Sequence, residues 1–190
     1  MAKKEDVIPP KIYFDSCVFI AHFASSQQHI IDSYGKETLD AIEHWINLMK
    51  SDEATILTSS IAITEIKPKI DQYIEVFDDL FKYKNLQLIN VNKTIADYAS
   101  EFRKHYINNP FKFHENDING HRADLSTADS IHLATAVLYE ANHFFTYDDG
   151  KSKDSETGRR TVPILRLGNK IANDALNISK PFGQPKLIYD

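Results

Sequence analysis

Only one cysteine, Cys17, occurs among the 190 residues. That excludes an internal disulfide and any cysteine-based zinc site, and it fits a reducing compartment. No apolar run is long enough to cross a bilayer, and the lysines of "MAKKEDVIPP" have no apolar segment behind them, so a soluble, cytoplasmic protein without a membrane role is expected. There is no excess of basic charge either. The formal net charge is -5, so the summed field does not attract nucleic acid, and a polyanionic partner has to be met locally, by a basic patch or a metal ion. No internal repeat and no low-complexity linker divides the chain.

What is present reads as one domain over 1–190, with a core at about 11–165 and a loosely structured tail at 166–190. Its 42% apolar and 11% aromatic content suffices for a buried core. "KIYF" predicts a strand ending at Asp15 and running directly into a helix. "ATILT" predicts a second strand, "NLQLINV" a third, "HFFT" a fourth and "VPIL" a fifth. Helical spacing marks Lys36 to Lys50, a short helix containing Glu65 that Ser59 or Ser60 caps, and a helix opened by Pro68 with Tyr73, Ile74, Phe77, Leu80 and Phe81 as its stripe. Two more follow, Asn92 to Tyr106 with Ile95, Tyr98, Ala99, Phe102 and Tyr106 inward, and "STADSIHLATAVLYEA". The alternation predicts an α/β fold, a three-layer α/β/α sandwich around a mainly parallel sheet of four to five strands. Residues 108 to 126 form a long connection without periodicity, which marks a functional or mobile loop.

In open parallel sheets the ligand site lies beyond the carboxyl ends of the strands. Four acids fall at or near such ends: Asp15 after the first strand, Glu65 after the second, Asp129 at the start of the helix before the fourth, and Asp148 after "HFFT". Each has a purely structural reading. Asp15 can cap a helix, Asp129 completes a capping box with Ser126, Glu65 can be a solvated helix residue, and Asp148 with Asp149 and Gly150 can make a turn. Together they suggest more. Carboxylates gathered within a few Å repel one another unless a cation sits among them, and hard oxygen donors suit Mg²⁺ or Mn²⁺.

"IYFDSCVFI", "LTSSIAITEI", "ADSIHLATAV" and "FFTYDD", in this order, resemble the four acidic motifs of PIN-domain nucleases, among them the VapC-type ribonuclease toxins. The resemblance spans about residues 11 to 150. It implies a PIN-like fold and a metal-dependent endoribonuclease that hydrolyses RNA phosphodiester bonds, with Asp15, Glu65, Asp129 and Asp148 holding Mg²⁺ or Mn²⁺ and Ser16 and Thr146 as supporting hydroxyls. Asp149 competes with Asp148 as fourth acid. The resemblance further implies a homodimer and, for a type II toxin, an antitoxin protein partner. The alternative is a PIN-like scaffold that binds RNA or protein without cutting it.

Among the other residues, His105, His114 and His121 match no compact zinc spacing. His132, three residues after Asp129 on the same helix face, reads as a packed histidine, with approach to the site as the other reading. Cys17 reads as a small buried residue, since no base for a thiol nucleophile stands near it in sequence. Lys104, Lys112 and Arg122 in one loop region and Lys151 in another are the candidate substrate-binding residues, set against their reading as solvated charges. Phe111 and Phe113 beside Lys112 offer stacking surfaces for unpaired bases. A phosphotransferase of the haloacid dehalogenase type needs a second aspartate two positions after the first, where this chain has Cys17. The chain is longer than VapC toxins usually are, and the excess lies in the first-to-second helix connection, the 108 to 126 loop and the tail.

Overall fold

The computed structural model describes residues 8–24, 27–109, 125–150, 161–167 and 176–182. Strands β1 (Lys11–Phe14), β2 (Thr55–Ser59), β3 (Leu86–Ile89), β4 (His143–Phe145) and β5 (Asn177–Ser179) form one sheet in the order β3-β2-β1-β4-β5. Every pairing is parallel. The helices are α1 (Ser16–Phe23), α2 (Gln28–Tyr34), α3 (Lys36–Lys50), α4 (Ile61–Ile66), α5 (Ile74–Leu80), α6 (Lys93–Asn108) and α7 (Thr127–Leu138). Among the described residues, no helix is long and apolar enough to cross a membrane.

Strand alternation sorts the core into two layers of side chains. Ile12, Phe14, Ile56 and Phe145 pack on one face with Val18, Phe19, Trp45 and Phe77 from α1, α3 and α5. Tyr13, Leu57 and Phe144 point to the other face, against Leu133 of α7. Both faces are therefore dry, which is the condition under which parallel sheets are stable. Each large side chain so buried contributes roughly 1.5–3 kcal/mol.

The sandwich is the expected one, and five details differ. "VPIL" is not a strand: Val162 and Pro163 lead into a 3-10 turn, Ile164–Arg166. Pro163 has no N–H to give a ladder, and the amides of Ile164 and Leu165 bond instead to the Asp148 carboxylate and carbonyl. The fifth strand lies in the stretch read as a loose tail. There Ile178 pairs with Phe144, and the Phe182 carbonyl accepts a 3.0 Å hydrogen bond from the Trp45 indole.

Pro68 sits in a 3-10 turn, Lys67–Lys69, and the following helix starts only at Ile74. Tyr98, read as inward, is 39% exposed and rests edge-on against Phe102. Helix α2, which has no fully buried residue to mark it in sequence, was not anticipated.

Candidate active site

Asp15 is the first residue after β1, and its backbone N–H still bonds to the Phe145 carbonyl of β4 at 3.1 Å. Extended backbone there lets its side chain turn back and cap α1, with Oδ1 accepting from the Ser16 amide at 2.7 Å. Oδ2 accepts from the Thr146 hydroxyl at 2.7 Å and from Cys17 Sγ at 3.2 Å. The cap reading of Asp15 is thus correct, and only one of its two oxygens serves it. The residue is 5% exposed.

Glu65 comes from α4, the short helix that leaves β2. Ser60 occupies the N-cap position without a side-chain capping bond, and its Oγ instead accepts from the Val91 amide. The Ser59 hydroxyl points to His132. Glu65 Oε2 lies 2.8 Å from His132 Nε2. Burial alone would raise the Glu65 pKa, but His132, Ser16 and Lys69 hold it below the usual carboxylate range.

Asp129 stands in the first turn of α7, where Ser126 Oγ accepts its backbone N–H at 3.0 Å as the capping pattern predicts. Its carboxyl pKa is raised to about 7 by burial and by the charges of Asp15 and Asp148, against the opposing pull of Ser126 and His132. Asp148 follows β4. Its Oδ1 accepts from the Gly150 amide at 3.1 Å and Oδ2 from the Ile164 amide at 3.0 Å. Gly150 is required in this loop. It has φ +72, and a Cβ there would lie 2.5 Å from Pro163. Burial raises the Asp148 pKa, those two amides lower it, and Asp15 and Asp149 raise it further.

All four acids therefore stand at the carboxyl edge of the sheet. Asp15, Asp129 and Asp148 lie within one another's electrostatic reach, while Asp149 acts on Asp148 and Tyr34. Among the described residues, the three-residue group whose ligand atoms all lie within 4.8 Å of one another is Asp15, Glu65 and His132. Lys104 is exposed near the end of α6. Lys112, Arg122 and Lys151 lie outside the described residues, as do His114, His121, Phe111 and Phe113.

His132 is the residue that sequence reasoning undervalued. It is fully buried, yet it faces the acids, with Nε2 3.6 Å from Asp15 Oδ1. Its Nδ1 meets the Tyr13 hydroxyl at 2.7 Å and Ser59 Oγ at 3.3 Å. Burial opposes charge on the ring, and Tyr13, Glu65 and Asp15 outweigh it, so the pKa stands well above the usual histidine range. The available signal was the three-residue spacing from Asp129. Cys17 is half-buried, and its thiol pKa is pushed well up by burial and by Asp15, which leaves it a poor nucleophile.

The acidic donors are hard carboxylate oxygens, one of them on Asp129, whose proton is held first by burial and further by the charges of Asp15 and Asp148. Such oxygen donors suit a small divalent cation, which would offset the repulsion that adds to burial in raising the Asp129 pKa.

A family model described as the PIN domain matches residues 12–153. No curated protein matches the chain. Among solved structures, the chain is similar to Mycobacterium tuberculosis VapC20, described as a sarcin-ricin loop cleaving toxin. The two are 12% identical, the match covers 73% of this chain and 90% of that one, and the TM-score is 0.48. Since the family model spans more than half of its length, from within β1 to beyond β4, the chain belongs to the PIN domain family.

Proposed function

We propose that this protein is a divalent-metal-dependent endoribonuclease that hydrolyses RNA phosphodiester bonds. The observation that carries the reading is geometric: the four acids stand at one edge of the sheet, with ligand atoms of Asp15 and Glu65 within 4.8 Å of each other and with Asp129 and Asp148 near enough to feel the charge of Asp15. Asp15, Glu65, Asp129 and Asp148 would hold Mg²⁺ or Mn²⁺. When bound, the ion supplies a water of lowered pKa and offsets negative charge on the phosphate.

The chain's own side chains supply orientation. Thr146 and Ser16 fix the two oxygens of Asp15, and the Gly150 and Ile164 amides fix those of Asp148. Above pH 7 Asp129 loses its proton and becomes a full ligand. Among the described residues no side chain near the acids is placed as a nucleophile, and a hydrolysis in which water attacks needs none. Within this reading the protein acts in the cytoplasm as a homodimer and is the toxin of a type II toxin–antitoxin pair, with an antitoxin protein as partner. Lys104, Lys112, Arg122 and Lys151 are the proposed phosphate contacts.

The test is incubation with a mixed RNA pool and Mn²⁺, followed by sequencing of the cut ends. Cleavage at defined sites, abolished by EDTA and by Asp129→Asn, is the expected result. Cleavage that persists at the wild-type rate in EDTA or in Asp129→Asn overturns the assignment. A folded, Mn²⁺-binding protein that cuts nothing identifies the scaffold alternative.

A further inference from the structure

Glu65 is the one acid of the four on a helix of six residues, with no capping bond to anchor it, and its side chain is about a third exposed. Such a carboxylate would swing freely through several rotamers. His132 Nε2 meets it at 2.8 Å, the stronger of two side-chain hydrogen bonds that restrain it, the other coming from Ser16. His132 in turn is held from behind. The Tyr13 hydroxyl accepts the Ser59 amide at 3.0 Å and meets His132 Nδ1 at 2.7 Å. The ionised Glu65 carboxylate can only accept, so Nε2 carries the proton that faces it. If the ring is doubly protonated, Nε2 still carries one, so the contact to Glu65 has the same polarity in either state.

We propose that His132, locked by Tyr13 and Ser59, is a positioning residue that fixes Glu65 for the cation and does not itself bind the metal. Two facts separate this role from ligation. The Nε2 lone pair is replaced by a proton bonded to Glu65, and Nδ1 is occupied by Tyr13 and Ser59. The network draws on β1, β2, α4 and α7, so it ties the sheet's central strand to Glu65. Tyr13 is itself immobile, fully buried and stacked on Phe144 with ring centroids 5.0 Å apart. Partners that orient a ligating carboxylate contribute about 10- to 100-fold in metal affinity. The inference rests on the metal-site part of the proposed function and is independent of which nucleic acid is cut.

The experiment is Mn²⁺ affinity by electron paramagnetic resonance on the full chain, with circular dichroism to verify folding. His132→Leu is expected to lose about 10- to 100-fold in affinity. His132→Gln, which can place an N–H near the position of Nε2, should recover most of that loss. A merely structural histidine predicts no such rescue. In a Glu65→Gln background His132→Leu should cost nothing further, because the residue it positions has gone. Should His132→Leu fail to fold, Tyr13→Phe keeps the stacked ring, removes the hydroxyl and should weaken Mn²⁺ binding several-fold.

A folded His132→Leu, or a folded Tyr13→Phe where the first does not fold, that binds Mn²⁺ as wild type does overturns this role alone. A loss of equal size with and without Glu65 does the same. Wild-type protein that binds no Mn²⁺ overturns the proposed function and this role with it. Wild-type protein that binds Mn²⁺ but leaves RNA intact defeats only the ribonuclease reading.

Discussion

The Thr146 hydroxyl donates a 2.7 Å hydrogen bond to Oδ2 of Asp15 across 131 positions of sequence, joining the carboxyl ends of β1 and β4. Thr146 Oγ1 in turn accepts the Asp148 amide at 3.1 Å, so one buried hydroxyl ties two of the acids together.

Thr146→Val keeps the shape and removes both bonds. It is expected to cost about 1–3 kcal/mol in urea unfolding, because the Asp148 amide is left without its acceptor and Asp15 loses a donor. Thr146→Ser keeps the hydroxyl and should stay much closer to wild type. Equal stabilities of the Val and Ser variants would show that the hydroxyl holds nothing.

The raised pKa of Asp129 sets a pH dependence for the metal-free protein. Its folded value is about 7 against an ordinary 3.8, so the folded state binds the proton more tightly than the unfolded one. Stability from this group is complete below pH 4 and is lost as pH rises through 7, by an amount on the order of 4 kcal/mol. Asp148, raised as well, adds in the same direction. Asp129→Asn should therefore flatten the decline and melt higher than wild type at pH 8 without metal. Added Mn²⁺ should raise the wild-type melting temperature more at pH 8 than at pH 5, since at the lower pH it must displace a proton. A wild-type melting temperature that rises between pH 5 and pH 8 in EDTA would contradict the assignment.

Asp148 has both oxygens engaged by the Gly150 and Ile164 amides, so it is a loop clamp whatever else it does. An amide offers one acceptor oxygen and one NH₂, which would face a backbone N–H. Asp148→Asn is therefore expected to destabilise the fold by about 1–3 kcal/mol as well as to reduce cleavage. Asp129→Asn, which breaks no such clamp, should abolish cleavage without that cost at neutral pH. Loss of cleavage in Asp148→Asn with unchanged urea stability would assign Asp148 to metal binding alone.

Much of this was legible in the sequence because it depends on local pattern. Strand and helix alternation gave the parallel sheet, and the acids at strand ends marked the edge where they stand. What stayed hidden depends on distant partners. Nothing near His132 in sequence says that its ring meets Tyr13, Ser59 and Glu65, and an apolar helix is the usual setting for a merely packed histidine. Helix α2 was missed because its seven residues bury nothing completely. β5 was missed because its three residues, exposed, buried and half-buried in turn, carry too little periodicity to stand out. Only the edge of β4 identifies them as a strand.

That edge also decides where the folding unit stops. The sequence placed the end of the core near residue 165, yet Phe182 packs on Phe145 and His143 with ring centroids 5.3 and 5.6 Å away. Its carbonyl accepts the Trp45 indole N–H, and Trp45 is fully buried beneath the sheet. If the segment were dispensable, removing the Phe182 ring would leave stability unchanged. If it closes the core, Phe182→Ala uncovers Phe145 and loosens β5 from β4. The expected cost is about 2 kcal/mol, below that of a fully buried phenylalanine because this ring is only half-buried. Trp45 fluorescence during urea unfolding reports it directly: the variant should unfold at lower urea, with the indole already more solvated before the transition. An unchanged midpoint would return the boundary to residue 165.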